Sequence, residues 1–155
     1  MTPCRLSIWL ALWLALLLPA LAAAQPRANY FNDPFERLSA GIAACPLPAG
    51  PLITEAQMRA QAHGRAERGT SCYQAGRCRL PNSYLYDKEI MARVVRAVAA
   101  DGRFADSSVW ATGQRRWIVL QGCVRSREQA RALVELLGGV DEVEQVIDEL
   151  QVRAR

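Results

Sequence analysis

The residues of this 155-residue chain whose types could carry chemistry are five cysteines, one histidine and several close-set arginines. Metal binding would need cysteines or histidines at ligand spacing. Cys72 and Cys78 have five residues between them, wider than a zinc knuckle, and His63 is the only histidine. No metal and no cofactor are expected. Nucleophilic catalysis fares no better. Ser126 follows no nucleophile elbow, and a single histidine makes no convincing triad. Glu128 and Glu135 lie seven apart on a helix and read as surface residues. Leu137-Gly138-Gly139 ends a helix and so is no phosphate loop. The chain is not expected to be an enzyme.

The arginines are more suggestive. Arg93 and Arg96 stand three apart, and Arg115 and Arg116 are adjacent at a turn. A guanidinium forks two hydrogen bonds onto a phosphate, so these four are candidates for binding lipid headgroups or another anion. The plainer reading is a solvated face, which scattered basic residues ordinarily form. Formal net charge is +4, weak support for an anionic partner, and no nucleic-acid partner is expected.

The first 24 residues read as a secretory signal peptide. Arg5 precedes an apolar run from Leu6 to Leu21, and Ala22-Ala23-Ala24 supplies small residues ahead of Gln25. Cleavage after Ala24 is expected, against the alternative of a retained membrane anchor. Cys4 lies before the run and the next cysteine is Cys45, so no lipoprotein anchor is expected. Export leaves Cys45, Cys72, Cys78 and Cys123, an even number in an oxidising compartment, which implies disulfides. If Cys72 joins Cys78, Cys45 is left for Cys123. Those are the expected pairs.

Two regions follow the leader. Residues 25–84 are rich in Pro, Gly, Arg and small residues. Within them Thr54 and Gln57 form a capping box that opens a helix, with Gly69 as a plausible C-cap. Its thin apolar content puts that helix on the surface. Pro46, Pro48 and Pro51 enforce an extended stretch before it, and residues 72–78 read as a turn. Residues 85–153 show regular hydrophobic periodicity. Asp87 caps a helix to about Ala100, with Ile90, Val94, Val95 and Val98 on one face. Ser108–Thr112 and Trp117–Val124 read as strands joined by a turn over residues 113–116. Ser126 caps a second helix, Arg127 to Leu137, and Val143–Val152 is a last strand. The expected fold is α+β in the order α-β-β-α-β, two helices on one face of a three-stranded sheet, preceded by a disulfide-linked extension.

Strand alternation turns Val109, Ala111, Ile118, Leu120, Gly122 and Val124 towards the helices. Trp110, Trp117 and Val119 then point to the other face, which is unusually apolar for solvent. Either that face receives a ligand or partner, or residues 25–84 pack over it. Cys123 shares the face and needs a partner, which favours the packed arrangement.

The run Ile118-Val119-Leu120-Gln121-Gly122-Cys123-Val124 resembles the signature strand of BON domains, and the spacing to Val143 and the closing strand Val146–Val152 suit that family. The resemblance covers roughly residues 86–153. One departure stands out: the family usually places Gly before the valine that leads into the last strand, and here it is Glu142. Glycine tolerates a backbone angle that glutamate finds costly, so that turn is expected to differ. The resemblance implies a non-catalytic module of the Gram-negative periplasm, soluble after cleavage of the leader. It further implies binding to phospholipid or another anionic envelope component and support of outer-membrane integrity or stress tolerance. The alternative is a protein–protein adaptor or accessory subunit of an envelope assembly.

Overall fold

The computed structural model describes residues 25–153; the expected signal peptide lies outside them. Three antiparallel or parallel pairings build the main sheet. Strands β4 (Ser108–Gln114) and β5 (Trp117–Val124) form a hairpin, and β6 (Gln145–Val152) runs parallel to β5. The fourth member comes from the extension. Strand β2 (Phe35–Arg37) pairs antiparallel with β4, so the order is β2-β4-β5-β6. The expected three-stranded sheet is therefore a four-stranded one. Three residues without alternation gave no strand signal; what makes them a strand is the open edge of β4. A separate two-stranded ribbon joins β1 (Arg27–Ala28) to β3 (Ile53–Thr54).

Helices α2 (Asp87–Asp101) and α3 (Arg127–Gly138) cover one face of the sheet. Their apolar residues recur at helical spacing and meet the inward side chains of the hairpin. Ile90, Val94, Ile118, Leu120, Leu133 and Leu137 are all fully buried there. Burial of each contributes roughly 1.5–3 kcal/mol, which makes this layer the main source of stability. Ser126 caps α3 through its hydroxyl, which accepts from the Gln129 N–H.

Gly122 shows why a glycine sits in the middle of β5. Its φ is +120°, and a Cβ there would run into the Ser108 carbonyl oxygen of the paired strand. Only glycine supplies that angle at no steric cost.

Helix α1 (Glu55–Gln74) belongs to the extension. Thr54 and Gln57 make the reciprocal capping box. Gly69, however, is not the C-cap. It lies inside the helix where the Asn82 side chain approaches too closely for a Cβ, and the helix runs on to Gln74, with Ala75 as its C-cap and Gly76 at φ +68° after it. Cys72 is thus helical, not part of a turn. Disulfides join Cys72 to Cys78 and Cys45 to Cys123, leaving no thiol of residues 25–153 over.

The extension is also held by a buried ion pair. Asp33 and Arg65 are 5% and 9% exposed, and two Arg65 nitrogens donate to the Asp33 carboxylate at 2.5 and 3.0 Å. The Arg65 guanidinium lies between the Phe31 and Tyr84 rings, 4.1 and 4.0 Å from their centroids. Gln114 of β4 donates to the same carboxylate at 2.6 Å, so one buried charge ties α1 to the sheet.

Candidate functional site

The β4–β5 hairpin closes in two residues, Arg115 and Arg116, with φ of +60° and +69°. Both values suit the tight turn that matches strand twist, but such turns normally take Asn-Gly. Two L-residues in the left-handed region need support. Asp87 provides it. Its carboxylate accepts the Arg115 N–H at 2.7 Å and the Arg116 N–H at 2.6 Å. Asp87 was expected to cap its helix. Instead it is the first residue of α2, is 2% exposed, and grips the hairpin. Burial pushes its pKa up to about 6, against the lowering effect of those two hydrogen bonds.

Arg116 runs inward. Its Nε donates to the Glu142 carbonyl at 2.9 Å, and its Nη1 lies 3.3 Å from the Cys78 sulfur. Arg93 reaches the same residue from α2, donating to the Glu142 carboxylate at 2.7 Å, with Arg79 at 3.4 Å on the other oxygen. Glu142 itself has φ +67°. The turn into the last strand therefore keeps the left-handed conformation that a glycine would adopt. Here three arginines hold a glutamate in it.

The four candidate arginines do not form one cluster. Arg93 and Arg116 converge on Glu142 as a structural clamp. Arg115 projects from the hairpin, its guanidinium 4.2 Å above the Trp117 ring. Arg96 is exposed on the outer face of α2. There it joins Lys88, Ala92 and Val95, an apolar strip with a cation at each end. Between this strip and β2 lies a groove of about 450 Å³, which Pro34, Met91 and one acid, Glu36, also line. Sequence reasoning missed Lys88 and Val95 as surface partners. Helical spacing puts Val95 on the buried face with Ile90, Val94 and Val98, but it is 36% exposed.

On the opposite side of the sheet the extension covers the aromatic face in part. Trp110, Trp117 and Val119 are half-buried, and Cys123 is sealed under its disulfide to Cys45. Among the described residues no group of three or more His, Cys, Asp or Glu side chains could hold a metal ion. His63 is an exposed helix residue 3.2 Å from Glu67. Among the described residues no helix is long and apolar enough to cross a membrane.

The sequence model of the BON domain matches residues 86–154, from the residue before α2 to beyond β6. No curated protein and no solved structure matches the chain. BON domains are non-catalytic binding modules associated with phospholipid binding in envelope proteins. The Gly122 strand, the hairpin and the two helices on one sheet face all lie inside the match, and the extension lies outside it: the chain carries a single BON domain.

Proposed function

We propose that this protein is an exported, non-catalytic envelope protein whose BON domain binds anionic phospholipid surfaces through the outer face of α2. The observation that carries the reading is the strip of Ala92 and Val95 between Lys88 and Arg96. A shallow apolar strip between cations suits the boundary between headgroups and acyl chains. Each cation near an anionic surface contributes about 1 kcal/mol. Glu36 opposes them and keeps the attraction modest. Two disulfides support an oxidising compartment, which is the periplasm in the proposed setting.

Flotation with vesicles tests this. Anionic vesicles should carry the protein and neutral ones should not. The variant Lys88→Gln/Arg96→Gln should bind roughly tenfold more weakly or worse, and salt should weaken the wild type. Arg93→Gln should leave binding per folded molecule unchanged, because Glu142 already occupies that side chain. Wild-type binding that ignores lipid charge would overturn the proposal. N-terminal sequencing that finds Gln25 first would support export.

A second reading rests on β6, whose outer edge has no strand beside it among the described residues. An adaptor could add a strand there. Absence of any lipid binding would turn the choice to that reading.

A further inference from the structure

Between α1 and the outward face of the sheet lies a cleft of about 220 Å³. Trp117, Val119 and Ile147 form its apolar part, and Gln61, Arg68 and Arg115 stand around it. It is built jointly by the extension and the BON domain, on the side of the sheet that α2 and α3 leave open.

The charges in this cleft are unbalanced. Arg65 also borders it but is neutralised by Asp33. Arg68 and Arg115 have no carboxylate within ion-pair distance among the described residues. Arg68 comes from α1 and Arg115 from the hairpin, so two uncompensated guanidiniums approach one space from two elements. The Asp87 carboxylate fixes the backbone of the turn that presents Arg115, and the Trp117 ring carries its guanidinium. Beside them the Trp117 indole Nε1 is a buried donor with no hydrogen-bond partner among the described residues.

We infer that this cleft is a second binding site, for a phosphate monoester that carries one apolar chain. Two guanidiniums suit one phosphate, since each forks onto two of its oxygens. The apolar wall then takes the first carbons of the chain. Size argues for a single small amphiphile. The volume lies below the roughly 300–1,000 Å³ of ordinary ligand pockets, too little for a diacyl lipid. Position argues the same way. The cleft lies across the sheet from α2, so a bilayer seated on α2 does not reach it, and its occupant arrives as a monomer.

Titration calorimetry of the intact oxidised protein with hexyl phosphate, kept below its aggregation concentration, tests the inference. Inorganic phosphate and hexanol are the comparison probes. Hexyl phosphate should bind saturably with one site, and each comparison probe at least about tenfold more weakly, because each lacks half of the contacts. Arg68→Gln and Arg115→Gln should each weaken hexyl phosphate by about tenfold. Lys88→Gln/Arg96→Gln should leave it unchanged, which separates this site from the α2 face. Unfolding curves of the variants confirm that they fold. No binding of hexyl phosphate, equal binding of inorganic phosphate, or binding that survives loss of both arginines would overturn the inference.

Discussion

Asp87 illustrates how a single residue changes meaning between sequence and structure. Its place ahead of a periodic helix made it a cap by local rules. In three dimensions the unfavourable turn at Arg115 and Arg116 lies within its reach, and the two backbone N–H groups there are its partners. No local pattern announces a contact across 28 residues. Its raised pKa has a consequence for stability. The ordinary value is 3.8 and the folded value about 6. Between them the folded chain holds a proton that the unfolded chain has lost. The stability contributed by this group is therefore present in full below 3.8 and is lost as pH rises through about 6. Asp87→Asn should flatten that part of the pH profile, while loosening the hairpin because an amide accepts through only one oxygen. Thermal unfolding in pH steps measures it; equal slopes for wild type and variant would contradict the assignment. Gly122 was legible in the motif for a different reason: its φ of +120° and the adjacent Ser108 carbonyl admit no side chain. Gly122→Ala should lose about 3 kcal/mol or more in denaturant unfolding, and a loss under about 1 kcal/mol would count against the strained geometry.

At the level of elements, periodicity located the two helices and three strands of the BON domain, because each buries one face against a common core. Strand Trp117–Val124 has the same bounds by pattern and by structure. The extension was less legible. Strand β2 exists because β4 offers an unpaired edge, and Gly69 is glycine because the Asn82 side chain leaves no room for a Cβ inside α1. The arginine pair on α2 divides for a similar reason. Positions three apart in a helix are neighbours, yet Arg93 turns to Glu142 and Arg96 to solvent. What orients α1 is the buried Asp33–Arg65 pair. Removing one member of such a pair leaves an uncompensated buried charge, at a cost of about 3–5 kcal/mol. Arg65→Ala should therefore destabilise the protein by that order in denaturant melts. It should also expose the α1 backbone to hydrogen exchange ahead of α2 and α3. Unchanged stability would mean that the pair contributes little to anchoring the extension.

At the scale of the whole molecule, three ties among several hold the extension to the BON domain. Strand β2 completes the sheet, Arg65 binds α1 to Asp33 and through it to Gln114, and Cys45–Cys123 fastens the proline-rich segment to the outer sheet face. Each tie crosses the boundary where the BON match begins. The first two are non-covalent, so they can open and close as the chain fluctuates locally. The third is covalent and closes a loop with a sequence separation of 78 residues. In the chain-entropy description such a closure removes up to about 4.5 kcal/mol of freedom from the unfolded state. The oxidised protein should accordingly unfold in one cooperative transition, extension and module together. Cys45→Ser/Cys123→Ser should lower the midpoint and let the extension exchange and be cleaved before the module melts. Cys72→Ser/Cys78→Ser, which opens a separation of only 6, should shift the midpoint less. Calorimetry with limited proteolysis separates these cases. Two resolved transitions in the oxidised wild type would show that the extension is a passenger on the BON domain. A cleft walled by both would then have no fixed shape, and one transition is what a preformed site between them requires.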